Sequence, residues 1–109
     1  MVARIALCLL KDRIAPRYDR SEQILLVTVR DLERHEREFV PVGRQKPEKV
    51  CNMLVDRNVG TLICGGVTDE CRTRLERSGI RILDNVIGSV DGVIAVFLGG
   101  HLVSGCEVD

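Results

Sequence analysis

Between Thr61 and Cys71 the chain reads Thr-Leu-Ile-Cys-Gly-Gly-Val-Thr-Asp-Glu-Cys, an apolar run that breaks at two glycines and restarts as a polar, cappable segment. A short apolar run between Gly60 and Gly65-Gly66 is the pattern of a strand covered on both faces, as in the centre of a parallel sheet. The paired glycines allow a tight turn and a close approach of other atoms to the backbone. After them, Thr68 or Asp69 can accept hydrogen bonds from the open amides of a helix start, and Asp69 and Glu70 complement its positive dipole end. Cys64 is thereby expected at the carboxyl end of a central strand, where open α/β sheets bind their ligands.

The first apolar run, Arg4 to Leu10, is also apolar at successive positions and reads as a second central strand. Lys11 to Glu22 reads as a loop, with Pro16 holding Ala15 extended and with Arg13, Arg17 and Arg20 close together. Gln23–Arg30 and Arg34–Val42 form a hairpin joined around Asp31-Leu32-Glu33. Its second strand is dense in charge and ends near Pro41, which marks a sheet edge.

Pro47 opens a helix to about Arg57, with Val50, Cys51, Leu54 and Val55 on one face and Asn58 as a left-handed cap. Further helices are expected from about Thr68 to Arg77 and from about Ile87 to Leu98, with a short strand from Ile80 to Leu83 between them. Right-handed crossovers then give the strand order 3-2-1-4-5 with strand 2 antiparallel, a ribonuclease-H-like α/β domain of five strands and three helices. The arginine loop and the Cys64-Gly65-Gly66 turn flank the switch point between strands 1 and 4. Two-metal nuclease chemistry is disfavoured, because those strands carry no carboxylates.

Length and composition set the remaining bounds. A chain of 109 residues is expected to fold as one domain, over residues 1–102, with a polar tail at 103–109. It buries roughly 65% of its unfolded surface, enough for a core without disulfides. Net charge is zero and only Tyr18, Phe39 and Phe97 are aromatic, which argues against nucleic-acid binding. The first 58 residues hold 12 of the 16 Lys and Arg against 9 of the 16 Asp and Glu, so an anion site belongs in the first half. No segment is long and apolar enough to span a membrane, and a cytoplasmic location is expected.

The five cysteines, Cys8, Cys51, Cys64, Cys71 and Cys106, lack any CxxC spacing, so neither a structural zinc site nor a disulfide framework is indicated. Cys8 and Cys51 read as packing residues. Cys71 reads as core with Leu75, or as a second thiolate near Cys64. His35 reads as a polar residue of the edge strand.

The segments Ala15-Pro16-Arg17-Tyr18-Asp19, Leu62-Ile63-Cys64-Gly65-Gly66-Val67, Leu75-Glu76-Arg77-Ser78-Gly79-Ile80 and Phe97-Leu98-Gly99-Gly100-His101-Leu102 resemble the dinitrogenase iron-molybdenum cofactor biosynthesis family over about residues 4–102. Where that family often carries His-Phe-Gly, this chain has Tyr18-Asp19-Arg20. The resemblance implies a non-enzymatic carrier for an anionic metal-sulfur cluster, with iron/molybdenum-sulfur or copper-containing cargo. Its partner would be a cluster donor or acceptor protein, with no nucleic acid and no membrane, and the chain a monomer or weak dimer.

On that reading the metal ligands are Cys64 and Cys71, soft sulfur suited to iron and copper. The ligand-binding set is Arg13, Arg17, Tyr18 and Arg20 with Gly65, Gly66, Val67 and Thr68, arginines offsetting charge and helix-start amides donating to outer atoms. The alternative is a regulatory or interaction module holding a phosphate-type anion without metal. A cysteine enzyme using Cys64 lacks a nearby base in the sequence.

Overall fold

The computed structural model describes residues 2–31 and 33–108; Leu32 of the hairpin turn, Met1 and Asp109 lie outside them. Among the described residues four strands come first and helices then alternate with two more strands: β1 Ala3–Leu10, β2 Arg13–Ile14, β3 Gln23–Val29, β4 His35–Pro41, α1 Pro47–Asp56, β5 Thr61–Ile63, α2 Asp69–Arg77, β6 Arg81–Leu83 and α3 Val90–Leu98. The sheet order is β4-β3-β1-β5-β6, in which β3 is antiparallel to both of its neighbours, β1 and β4, while β5 runs parallel to β1 and β6 parallel to β5. This is the order expected from the hairpin and the right-handed crossovers.

Alternation along the strands divides the interior into two layers. Ala6, Cys8, Leu62 and Cys64 face one way and pack beneath α1 and α2 with Cys51, Leu54 and Leu75. Ile5, Leu7, Leu9 and Ile63 face the other way and pack beneath α3 with Val90, Val93 and Ile94. The central strands β1 and β5 are buried on both faces because helices cover both sides, which is why their sequences are apolar without alternation. At the edge, Arg37 of β4 pairs with Asp91 at 3.0 Å and Arg57 reaches Glu38 at 3.0 Å. Charge on this strand discourages further pairing.

Two boundaries differ from the sequence reading. Part of the arginine loop is itself extended: β2 pairs with the end of β1, Leu9 facing Ile14 and Leu10 facing Arg13. The last helix begins at Val90 rather than near Ile87, because Ile87 is drawn into a bridge with Glu107 and Ser89 is the cap, its hydroxyl accepting from the Gly92 amide. Residues 103–108 return along the loop after β6, where the Ser104 hydroxyl accepts from the Asp84 amide and the Gly105 amide donates to the Asp84 carbonyl. Gly79 ends α2 with φ +85, the left-handed position that glycine takes without strain.

Candidate functional site

The site forms where β1 and β5 part. There the segment Arg13 to Arg17 inserts, so that the upper half of β1 pairs with β2 and the lower half with β5. The inserted loop is tied to the glycine turn by a parallel bridge between Arg17 and Gly66. The Gly66 amide donates to the Pro16 carbonyl at 2.7 Å and the Tyr18 amide to the Gly66 carbonyl at 2.8 Å. Gly65 makes this contact possible: a β-carbon there would run into the carbonyl oxygens of Ala15 and Pro16. The arginine loop and the Cys-Gly-Gly turn thus form one backbone unit at the carboxyl ends of the strands.

Beside this unit lies a cavity of about 300 Å³, lined by Arg17, Tyr18, Asp19, Gly66, Val67, Thr68 and Cys71. Thr68 caps α2, its hydroxyl accepting from the Cys71 amide at 3.3 Å. The amides of Val67 and Thr68 have no hydrogen-bond partner among the described residues, so the turn presents donors and the dipole of α2 adds to them. Arg17 stands at the mouth, more than half exposed, paired with Asp19 at 2.9 Å. Tyr18 forms an apolar wall and is only 4% exposed. Its hydroxyl donates to the Pro47 carbonyl at 3.2 Å, joining the loop to the start of α1. Burial, with the surrounding thiols adding to it, pushes its ionisation far up, so Tyr18 stays neutral.

The expected site residues divide between this cavity and its surroundings. Arg17, Tyr18, Gly66, Val67, Thr68 and Cys71 come together in the wall. Gly65 lies just behind as the packing point. Arg13 and Arg20 are exposed on the loop and are not part of the lining. Cys71 is half-buried and lines the cavity, whereas Cys64 and Cys8 are both fully buried in the core layer under α1 and α2. Burial pushes the Cys64 thiol up to about 12, with the Asp84 charge adding to the rise and Arg72 opposing it. Among the described residues, no three His, Cys, Asp or Glu side chains are arranged to hold a metal ion.

Four residues behind the site were not singled out in the sequence. Asp84 follows β6, forms an ion pair with Arg72 of α2, and accepts from the Asn85 side chain at 3.3 Å. Burial would raise the Asp84 carboxyl, but hydrogen bonds from Ser104 and Arg72 outweigh it and hold the group below its ordinary range. Asn85, at φ +54, donates its amide to the Gly65 carbonyl at 3.0 Å. The available signal was the Asp84-Asn85 pair at the carboxyl end of a strand next to the switch point. A second cavity, of about 260 Å³, lies at the opposite end over Arg4, Glu36, Glu38 and Arg57. It contains no thiol, and Arg57 there is already paired with Glu38.

Fold and site together define a small mixed α/β domain with a cleft at its switch point. Its sequence matches the family model described as dinitrogenase iron-molybdenum cofactor over residues 1–100, and the chain belongs to that family. The family is of a cofactor-associated accessory type, related to dinitrogenase cofactor biosynthesis.

Solved structures share the fold. The apo form of the orange protein from Desulfovibrio gigas matches with a TM-score of 0.76 at 21% identity, over 97% of this chain and 95% of that one. A candidate dinitrogenase from Methanocaldococcus jannaschii matches with a TM-score of 0.75 at 21% identity, over 94% and 93% of the two chains. A candidate NifB protein from Thermotoga matches with a TM-score of 0.71 at 26% identity, over 94% and 92%. No curated protein matches the sequence. No helix among the described residues is long and apolar enough to cross a membrane.

Proposed function

We propose that this chain is a non-enzymatic carrier of a small anionic metal-sulfur cluster, seated in the cavity between the arginine loop and the start of α2. The observation that carries this reading is the convergence there of a guanidinium, unpartnered turn amides and one half-buried thiol. A thiometallate has the same needs: cations to offset its charge, donors to its outer sulfurs, and at most one soft ligand. Among the described residues no three His, Cys, Asp or Glu side chains are grouped to hold an ion, which favours cargo held mainly by non-covalent contacts over a bare metal ion.

Each residue then has a role. Arg17 offsets charge after exchanging Asp19 for the cargo, and the Val67 and Thr68 amides donate to outer atoms. Cys71 supplies the soft sulfur. Tyr18 and Val67 form an apolar wall against the polarisable sulfurs. Cys64, behind the turn, supports this wall from below. The cargo would arrive from and leave to a partner protein at the open mouth beside Arg17.

The same cation and amides would also hold a phosphate-type anion, and thiol dependence separates the two readings. The test is an anaerobic titration of reduced protein with tetrathiomolybdate, and with iron plus sulfide, followed by desalting, visible absorption and metal analysis. Stoichiometric colour that remains with the wild type and is lost in Arg17→Ala and Cys71→Ser is the expected result. Retention of phosphate but not of thiometallate, unchanged by alkylation of Cys71, would transfer the site to the anion module.

A further inference from the structure

The cavity of about 260 Å³ at the other end of the sheet lies on the face that α1 covers elsewhere. α1 stops at Asp56, and Asn58, at φ +58, turns the chain down to Val59 and β5, so α1 leaves this end of the sheet uncovered. Side chains alternate along a strand, so Arg4 shares the face of Ala6, and Thr28 that of Leu26. Register then sets one row across three strands: Thr28 of β3 lies opposite Arg4 of β1 on one side and Glu36 of β4 on the other. Leu26 and Val59, both buried, give the hollow an apolar floor. Arg37 also borders it, but its guanidinium is committed to Asp91 of α3 on the opposite face.

Each polar group of the row keeps bonding capacity that the described residues do not use. Arg4 donates through Nη1 to the Arg57 carbonyl at 3.0 Å, and its other N–H groups remain open. Glu36 accepts from Arg30 at 3.0 Å through Oε1 alone. The Thr28 hydroxyl between them has no hydrogen-bond partner among the described residues. Arg57 and Glu38 pair across one side of the hollow, and exposed pairs of this kind rearrange at little cost. Edge protection accounts for charge on β4, but not for its two glutamates sharing the face that Arg4 and Arg57 reach.

A simple anion would meet the Glu36 carboxylate here, and a simple cation the Arg4 guanidinium. We propose that the hollow is a binding site for a zwitterion, an α-amino acid with an apolar side chain. Its carboxylate accepts from Arg4, its ammonium donates to Glu36 and to the Thr28 hydroxyl, and its side chain lies on Leu26 and Val59. The α-carbons of Arg4 and Glu36 are two strand spacings, about 10 Å, apart, a gap that the two long side chains narrow to the charged end of an amino acid. The volume falls just below the roughly 300 Å³ at which drug-sized pockets begin, so the guest is small.

This site goes beyond the carrier reading and shares no residue with the cargo cavity. The test is a titration of the isotope-labelled full chain, followed by amide chemical shifts, with leucine and with its two halves. These are 4-methylpentanoate, which lacks the ammonium, and 3-methylbutylamine, which lacks the carboxylate. Leucine is expected to give saturable shifts centred on Arg4, Thr28 and Glu36, and each half should bind about 10-fold or more weakly, the loss of one charge-assisted set of hydrogen bonds.

Glu36→Gln and Arg4→Gln should each weaken leucine binding by a similar factor, with circular dichroism showing that the variants are folded. Glu36→Gln keeps the shape of an exposed side chain, so it decides the matter even if Arg4→Gln disturbs the end of α1. No saturable shift with leucine, equal binding of either half, or a Glu36→Gln protein that binds leucine like the wild type would each overturn the assignment. Tetrathiomolybdate retention, measured on the same proteins, should be unchanged in Glu36→Gln, so failure here leaves the carrier reading standing and the reverse also holds.

Discussion

Gly65→Ala is the substitution on which the architecture of the site most depends. Gly65 needs no unusual backbone conformation, so its cost is one of space alone. The added methyl would collide with the carbonyl oxygens of Ala15 and Pro16, which belong to rigid backbone rather than to a movable side chain. Relief requires the arginine loop to lift from the turn. That breaks the bonds Gly66 to Pro16 and Tyr18 to Gly66, of 2.7 and 2.8 Å.

At about 1 kcal/mol for each bond, the loss is about 2 kcal/mol. Overpacking that is not relieved adds about 1–2 kcal/mol. The total, about 3–4 kcal/mol, would lower the melting temperature by roughly 12–25 °C for a domain of this size. Gly66→Ala is the internal control, since its nearest neighbours would be Pro16 O at 3.6 Å and Asn85 Oδ1 at 4.0 Å, ordinary contact distances. It should cost less than about 1 kcal/mol. Urea unfolding of both variants beside the wild type measures the difference. A Gly65→Ala protein within experimental error of the wild type, or two glycines of equal cost, would refute the close apposition of loop and turn.

Further outcomes follow from the buried charges. Burial raises the Cys64 thiol from 9.0 to about 12 and raises Cys8 as well, so the native state keeps protons that the unfolded chain releases. Stability from Cys64 is therefore fully present below pH 9.0 and is lost as pH rises toward about 12, at about 1.4 kcal/mol per pH unit for each such thiol. Urea midpoints between pH 8.5 and 11 should fall more gently in Cys64→Ala than in the wild type, and equal slopes would contradict the burial.

Asp84 has the opposite sign. Its carboxyl is held below the ordinary value of 3.8, so its contribution is present above that pH and is lost as pH falls through the depressed value. Asp84→Asn should cost about 2 kcal/mol near neutrality, as for a partly buried hydrogen-bonded charge, and the wild type should approach the variant's stability in strong acid.

Much of this organisation was legible because it was local or periodic. The double-faced apolar runs at Arg4–Leu10 and Thr61–Cys64 identify the central strands, since only strands covered on both sides lose their alternation. Charge and Pro41 mark β4 as the edge. Pro47 and Thr68 mark helix starts by backbone chemistry that needs no tertiary information, and Asn58 takes the left-handed conformation expected of it, at φ +58. The convergence of the arginine loop and the glycine turn follows from strand order, which the hairpin and the right-handed crossovers determine.

What remained hidden depended on side-chain direction and on distant partners. Arg17 turns to the cavity while Arg13 and Arg20 remain outside, a difference set by the pairing of β2 with β1 and by the Arg17–Gly66 bridge. The start of α3 depended on residues 103–108 docking against Ile87, a contact between segments twenty residues apart. Cys64 and Cys71 both sit near the turn, but the strand points one into the core and the helix start leaves the other at the wall. Asp84 acquires its importance only through Arg72 and Ser104, which come from two other elements.

The most direct measurement of the carrier reading is a crystal of the reduced protein soaked anaerobically with tetrathiomolybdate, with anomalous scattering recorded at the molybdenum edge. The expected result is a single molybdenum peak in the cavity, between the Arg17 guanidinium and the amides of Val67 and Thr68, with Cys71 as the nearest thiol. A peak elsewhere, or none at a concentration that colours the protein in solution, would contradict the reading.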